Sequence, residues 1–85
     1  MALPQHSVDL TWNASMSVVV GYSIYRGATS GGPYSKINST LDASTAYTDS
    51  TVQAGQTYYY VATAVDSTGA ESVYSNQVTA VIPTP

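Results

Sequence analysis

The chain has 85 residues, no cysteine and a formal net charge of −3, with two basic residues against five acidic ones. A chain of this length buries enough surface for a single core, so one small domain is expected. Disulfides and thiolate metal sites are excluded, and the shortage of Lys and Arg argues against nucleic acid as a partner. No apolar run approaches the roughly 18 residues of a membrane span, so membrane insertion is not expected.

Six strand-like runs, separated by turn signals, have the spacing typical of an all-β sandwich. The runs are residues 6–12, 18–26, 34–38 and 45–49, a long strand that follows a corner at 52–55 and ends near Asp66, and residues 73–82. Between the second and third runs, residues 27–33 combine Ser, Gly and Pro in a pattern that predicts a chain reversal.

Alternation along the first two runs predicts which side chains face the core. The residues that share a face are Val8, Leu10 and Trp12 in the first run, and Val20, Tyr22 and Ile24 in the second. These faces predict a core in which tyrosine and the single tryptophan supply all the aromatic bulk, because the chain has no phenylalanine.

The segment 52–65 predicts a turn that leads directly into a long central strand. Its two alternating faces are Tyr58, Tyr60, Ala62 and Ala64 on one side and Tyr59, Val61, Thr63 and Val65 on the other. A strand with apolar groups on both faces belongs in the middle of a sheet. The first tyrosine after the turn, Tyr58, is placed to bury its ring and to bond its hydroxyl to the preceding backbone, which is the tyrosine-corner arrangement.

Several motifs agree in order and spacing with a known family. They are Val-x-Leu-x-Trp at 8–12, Gly-Tyr-x-Ile-Tyr-Arg at 21–26, Ser-Gly-Gly-Pro-Tyr at 30–34, Tyr-Thr-Asp at 47–49, Ala-Gly-x-x-Tyr at 54–58, Ala-Val-Asp at 64–66 and Tyr-Ser-Asn-x-Val at 74–78. From residue 6 to 83 the chain resembles a fibronectin type III domain, of the bacterial kind found in secreted multidomain proteins. The resemblance implies an immunoglobulin-like Greek-key β-sandwich.

By that resemblance, four residues have structural roles. Trp12 is the core tryptophan of strand B, Tyr22 and Ile24 belong to strand C, and Tyr58 is the corner tyrosine of strand F. The predicted domain covers residues 6–82, with an N-terminal stub at 1–5 and the start of a linker at 83–85. No basic-then-apolar leader is seen at residues 1–4, so no signal peptide is expected there.

The first strand of the family, strand A, is truncated here or reduced to the stub, because only residues 1–5 precede the strand B motif and Pro4 cannot donate to a ladder. An unpaired edge of strand B would invite pairing with another chain. The sequence therefore predicts weak self-association through the strand B edge. The alternative is that residues 2–5 cover enough of this edge to prevent it.

No catalytic, metal or cofactor site is predicted. The only histidine, His6, is expected to face solvent at the start of strand B, and no nucleophile-elbow pattern accompanies it. The five acidic residues are scattered singly, without the pairing of a glycosidase or the spacing of a calcium loop. Asp49 and Asp66 stand next to turns, where carboxylates cap backbone N–H groups.

One surface has a physical case for binding, the outer face of the sheet formed by strands C, F and G. Tyr25, Tyr59 and Val61 are out of phase with the core residues and are predicted to form an exposed aromatic patch. Tyrosines on a rigid sheet suit sugar stacking or a neighbouring domain. The alternative is that they are cross-strand pairs which only stabilise the sheet, by about 0.2–1 kcal/mol each.

The function expected from the resemblance is that of a non-catalytic spacer or accessory module in a secreted or cell-surface bacterial protein. Its partners would then be the neighbouring domains of the same chain. The second hypothesis is a ligand-binding module for polysaccharide or protein, which would use Tyr25 and Tyr59 or the loops at 27–33 and 67–72. An enzyme is a distant third, because no acid, base and nucleophile can be assembled.

Overall fold

The computed structural model describes residues 6–13, 19–38 and 40–84. This part of the chain contains six antiparallel strands. They are β1 (Val8–Thr11), β2 (Gly21–Gly27), β3 (Ser35–Lys36), β4 (Ala46–Asp49), β5 (Thr57–Val65) and β6 (Val78–Val81). Strands β1 and β4 pair as one sheet, and the other four form a second sheet in the order β3-β2-β5-β6. The predicted all-β architecture is confirmed.

The core lies between the two sheets, where the alternating apolar faces meet. Leu10 from β1 packs with Tyr22 and Ile24 from β2 and with Tyr60 from β5, all of them buried. The half-buried ring of Trp12 meets Tyr22 edge-on, with the ring centroids 5.3 Å apart. Tyr22 and Ile24 lie in the core, as predicted. Trp12 packs against this core, but it follows the last residue of β1 and is only half-buried, so its predicted place as a core residue of strand B is only partly correct.

Val20 is the exception to the predicted core face of the second run. Its side chain is half exposed, and Val19 packs against the core instead. The prediction was wrong because β2 begins only at Gly21 and Val20 lies in a bend. Strict alternation is a property of extended strands and does not continue through a bend.

The long strand β5 is central, as its two apolar faces predicted. It pairs with β2 along residues 59–65 and with β6 along residues 57–60. Tyr60 is buried on the core face, and Val61, Thr63 and Val65 are buried on the opposite face. This strand therefore has almost no solvent-facing side in its second half.

The outer strands of the larger sheet are shorter than predicted because side chains take over part of the ladder. The run at 34–38 contracts to β3, and beyond it the buried Asn38 accepts a bond from the Ile24 N–H and donates to the Tyr22 carbonyl. The run at 73–82 contracts to β6, and before it the hydroxyls of Ser72 and Ser75 accept bonds from backbone N–H groups of β5.

The predicted tyrosine corner is present at the start of β5. The Tyr58 hydroxyl accepts a 2.9 Å hydrogen bond from the Gln53 N–H, five residues upstream. Gly55, in the turn, has a φ of +77°, a value that favours glycine. Its N–H donates to the Ile82 carbonyl and so joins the corner to the end of the last strand.

The smaller sheet pairs only β1 with β4 among the described residues. Residues 1–5, the predicted stub, lie outside the described ranges. Strand β1 starts opposite Asp49, and β6 ends beside the corner at Gly55. The start of β1 and the end of β6 therefore lie at the same end of the sandwich, which also carries the connection from β4 to β5.

Candidate functional site

The predicted outer-face patch is only partly as expected. Tyr25 on β2 stands directly opposite Val61 on β5, and Tyr59 lies opposite Gly27. The expected exposure of Val61 is wrong, because only 4% of this residue is accessible. Val61 has a small side chain in a central strand, and the larger Tyr25 lies opposite it on the neighbouring strand. Tyr25 and Tyr59 are half-buried.

Tyr25 instead belongs to a group of three tyrosines at the surface, of which Tyr74 is the exposed member. We refer to Tyr25, Tyr34 and Tyr74 as the tyrosine cluster. The Tyr74 ring lies 5.4 Å from Tyr25 and 5.4 Å from Tyr34, centroid to centroid, and meets both edge-on. Aromatic pairs prefer this arrangement, because the positive edge of one ring faces the negative face of the other. Tyr74 is 51% exposed, and the adjacent Val73 is 89% exposed.

Glu71 holds the first ring of the cluster in place. Its Oε1 accepts a hydrogen bond of 2.5 Å from the Tyr25 hydroxyl and another of 2.6 Å from the Thr63 hydroxyl. Glu71 reaches this position because it forms an isolated bridge with Val65, just beyond the turn at 67–69. The Tyr25 ring is therefore fixed across the sheet by a residue 46 positions away.

Gln77 holds the second ring and the adjacent loop. Its Oε1 accepts bonds from the Tyr34 hydroxyl and from the Gly31 N–H, and its Nε2 donates to the Ser30 hydroxyl. One side chain thus joins the 28–33 reversal to the segment that leads into β6. The loop predicted at 27–33 is pinned against the tyrosine cluster.

The protonation states of this surface follow from the same hydrogen bonds. The bond to Glu71, and then burial, raise the pKa of the Tyr25 hydroxyl. Bonds from Thr63 and then Tyr25 lower the pKa of the Glu71 carboxyl. The donor keeps its proton and the acceptor keeps its charge, so the arrangement persists at neutral pH.

Tyr25, Thr63, Glu71, Ser72, Val73 and Tyr74 line a shallow depression of about 360 Å³ on this face. The depression combines ring surface, hydroxyl groups and one carboxylate. These groups suit a ligand that offers both C–H surface and hydrogen-bonding groups, as small-molecule sites generally require.

A second polar cluster joins the two sheets, and we refer to it as the Asp49 latch. Asp49, at the end of β4, is 3% exposed and lies 2.8 Å from Arg26 Nη1 of β2. The Tyr60 hydroxyl of β5 donates to the same carboxylate oxygen at 2.7 Å. The other oxygen accepts from the N–H and hydroxyl of Thr51, and Arg26 also lies 4.9 Å above the centroid of the Tyr58 ring.

The electrostatics of the latch are those of a stable ion pair. Burial alone raises the pKa of Asp49, but hydrogen bonds from Thr51, Tyr60 and Arg26 outweigh burial and lower the pKa to about 2. Burial and the bond to Asp49 raise the pKa of Tyr60. Every group in the latch is already bound to another, so its role is to fix the sheets together.

The remaining polar residues have local roles. The predicted turn caps are confirmed, since Asp49 accepts from the Thr51 N–H and Asp66 accepts from the N–H groups of Thr68 and Ala70. The expected solvent-facing position of His6 is wrong, because the residue is half-buried and its Nε2 is inaccessible. Within the described ranges, no three His, Cys, Asp or Glu residues are grouped to hold a metal ion.

In the part of the chain that the structure describes, no helix could cross a membrane.

Two antiparallel sheets that share one core and a tyrosine corner define an immunoglobulin-like β-sandwich. A family model described as the fibronectin type III domain, SaeA third domain, matches residues 3–83. The chain belongs to the fibronectin type III family.

The chain is similar to parts of larger proteins. It is 47% identical over 73 residues to an amylopullulanase of Thermoanaerobacter thermohydrosulfuricus, covering 86% of this chain and 5% of that protein. It is 38% identical over 89 residues to exoglucanase B of Cellulomonas fimi, covering 100% of this chain and 7% of that protein. The chain thus spans less than a tenth of either relative.

A solved structure has the same fold. The crystal structure of an Fn3-like protein from Clostridium thermocellum superimposes with a TM-score of 0.81 at 39% sequence identity. The match covers 93% of this chain and 79% of that one. The predicted family and sandwich fold are therefore confirmed.

The tyrosine cluster was missed because its members come from three distant segments. Tyr25 lies on β2, Tyr34 precedes β3, and Tyr74 precedes β6. Period-two alternation identifies the face of a residue within one strand. Tyr34 and Tyr74 lie outside the strands, where that signal does not apply. The motifs at 30–34 and 74–78 each contain one of these tyrosines, but nothing in the motifs indicates that the rings meet.

Proposed function

We propose that this domain is a non-catalytic accessory and spacer module of a larger extracellular protein. The observation that carries the proposal is the coverage of its relatives, in which the matched stretch is 5% of an amylopullulanase and 7% of an exoglucanase. Two proteins with different substrates in their names share this domain. A shared module with a general role accounts for that better than one that performs either reaction.

The arrangement of the carboxylates supports a non-catalytic role. Asp49 is committed to the latch, Asp66 caps a turn, and Glu71 holds Tyr25 and Thr63. General acid–base catalysis requires a group that can exchange a proton near the operating pH. The pKa values of all three carboxyls are lowered, so each stays ionised there.

The rigidity of the sandwich supports a spacer role. The molecule measures 47 × 25 × 20 Å, and the latch and the tyrosine corner tie its sheets and its last strand together. A rigid body holds the domains joined to it in a more fixed arrangement than a flexible linker does. An extracellular location fits the charge-poor composition, in which 8% of residues are charged.

The test uses the larger protein that carries the domain, in three forms: intact, lacking residues 6–82, and with those residues replaced by a Gly/Ser linker of equal length. Spin labels on the two neighbouring domains report their separation. We expect a narrow distance distribution in the intact protein and a broad one with the linker. Turnover of a small soluble substrate should be the same in all three. A folded deletion variant with lost turnover, or equal distributions with domain and linker, would contradict the proposal.

Ligand binding on the outer face is the second candidate function. The observation that favours it is the exposed tyrosine cluster, with its fixed rings and polar rim. The names of the relatives, an amylopullulanase and an exoglucanase, make glucans the natural first probes.

A further inference from the structure

We propose that the tyrosine cluster is a binding site for a neutral polysaccharide, with Tyr74 as its stacking residue and Glu71 as its hydrogen-bonding residue. This rests on the second candidate function and deepens it, because it assigns a ligand class and named residues to that face. It stands on the geometry of this face and does not depend on the domain acting as a spacer.

The first argument is the available contact surface. Tyr74 is 51% exposed and Val73 is 89% exposed, and both line the same depression beside Tyr25. A sugar ring presents a flat C–H face, and aromatic side chains bury such faces at low entropic cost, since few of their bonds rotate. Tyr25 lies on β2, and the segment that carries Val73 and Tyr74 is bonded to β5 through the N–H groups of Ser72 and Ser75.

The second argument is preorganisation. The Tyr25 hydroxyl is fixed by Glu71, the Tyr34 hydroxyl by Gln77, and the Tyr74 ring lies edge-on between the two rings. A ligand that docks against a fixed surface pays little to order it, so more of the contact energy becomes affinity. Glu71 and Gln77 each join segments more than 40 positions apart, so both rings are held by contacts across the fold.

The third argument identifies the chemistry of the ligand. The hydrogen bonds that Glu71 accepts from Tyr25 and Thr63 both use Oε1. The second carboxylate oxygen is left to accept a hydrogen bond from a ligand hydroxyl, which is a charge-assisted and therefore strong interaction. Glu71 and Lys36, which lies opposite Tyr25 on β3, carry opposite charges beside the cluster. These two charges offset each other, so the site attracts neither an anionic nor a cationic polymer and a neutral polysaccharide is favoured.

The fourth argument concerns a peptide as the competing ligand. Extended peptides commonly bind by adding a strand to the edge of a sheet. Beneath the cluster, β2 and β5 pair with each other from residue 21 to 27 and from 59 to 65, so their backbone groups already have partners. Strand addition is therefore excluded beneath the cluster. A proline-rich peptide would dock on the rings instead, but proline has no N–H to donate to the Glu71 carboxylate, so a hydroxyl-rich sugar matches this face better.

The experiment titrates the ¹⁵N-labelled domain with maltoheptaose and with cellohexaose, and with a proline-rich peptide as the competing class. Backbone shifts report binding residue by residue. We expect one of the glucans to shift resonances at Tyr25, Tyr34 and residues 71–77. Shifts confined to other residues, no shift with either glucan at millimolar concentration, or shifts at the cluster with the peptide alone would overturn the proposal.

Two variants provide the matched comparison. Tyr74→Ala removes the central ring of the cluster, and Val81→Ala removes an exposed apolar side chain of the same sheet that lies outside the cluster. We expect Tyr74→Ala to weaken glucan binding at least about tenfold, the effect of losing a central aromatic anchor. Val81→Ala should change it by less than about twofold, because Val81 does not line the depression. Equal losses in both folded variants would overturn the assignment.

Discussion

Single hydroxyl and carboxylate groups hold this small sandwich together at the end that carries the connection from β4 to β5. Tyr58 fastens the corner before β5, and Asp49 holds β2, β4 and β5 together through Arg26 and Tyr60. An 85-residue domain has a small margin of stability. The loss of one such group should therefore be measurable.

Replacing Tyr58 with Phe should lower the free energy of unfolding by about 1 kcal/mol, because the Gln53 N–H loses its acceptor while the ring remains. Urea denaturation measures the difference. Tyr59→Phe is the matched control, since the Tyr59 hydroxyl has no hydrogen-bond partner among the described residues. Equal stabilities of Tyr58→Phe and the unmodified domain would mean that the corner bond contributes nothing.

The Asp49 latch predicts sensitivity to acid. The pKa of Asp49 is about 2 in the folded domain, against an ordinary value of 3.8. Because the folded value is the lower one, the carboxylate stabilises the fold above about pH 4, and this contribution, about 2 kcal/mol, is lost as the pH falls towards about 2. Urea denaturation between these pH values measures the loss.

Asp49→Asn should lower stability at neutral pH and reduce the loss on acidification, since the titrating group is gone. Asp9→Asn is the control, because it removes an exposed carboxylate that accepts a hydrogen bond from the Thr48 hydroxyl of the neighbouring strand. A stability profile for Asp49→Asn as steep as that of the unmodified domain would contradict the assignment of the acid transition to the latch.

At the scale of elements, side chains complete the sheet where the outer strands stop. Ser75 and Ser72 accept hydrogen bonds of 2.9 Å from the N–H groups of Ala62 and Ala64, and their own N–H groups donate to the carbonyls of the same two residues. Asn38 does the equivalent on the β2 side. Backbone groups of the central strands thus have partners without a regular ladder.

Replacing both Ser72 and Ser75 with Ala should therefore loosen β5 locally. We expect the amide protons of Ala62 and Ala64 to exchange with solvent faster, because they lose their acceptors, while those of the β5–β6 ladder at residues 57–60 keep theirs. Hydrogen exchange followed by NMR measures this. Ser67→Ala, in the exposed turn, is the control. Unchanged exchange at Ala62 and Ala64 would contradict the role assigned to the serine hydroxyls.

At the scale of the whole molecule, the two sheets are unequal. The larger sheet has four strands, whereas the smaller pairs only β1 with β4 among the described residues. The edge of β1 that faces away from β4 is the surface from which self-association was predicted. Residues 1–5, which were the alternative cover for this edge, lie outside the described ranges.

Self-association through β1 predicts a weight-average mass that rises with protein concentration in sedimentation equilibrium. Thr11→Lys, on the exposed end of β1, should reduce the rise, because a lysine on an edge strand disfavours pairing with another chain. Thr79→Lys makes the same change on β6, an outer strand of the larger sheet, and should leave the rise in mass unchanged. A monomer at every concentration would end the hypothesis.

Local patterns in the sequence determined much of this domain. Alternation predicted β5 as central, the spacing after the turn predicted the Tyr58 corner, and turn chemistry predicted the caps at Asp49 and Asp66. Each depends on residues a few positions apart, whose geometry is set by the backbone itself. The family motifs extended these predictions to the whole fold.

Only the tertiary structure decided the contacts between distant segments. Asp49 is 23 positions from Arg26, and Tyr25 is 46 positions from Glu71. Whether such groups meet depends on the register of each strand and on where its backbone pairing stops. Side chains such as Ser75 take over the hydrogen bonds at the point where this pairing stops. The same register buried Val61 and brought Tyr74 between two other rings. The candidate site therefore arises from strand pairing, which no local pattern encodes.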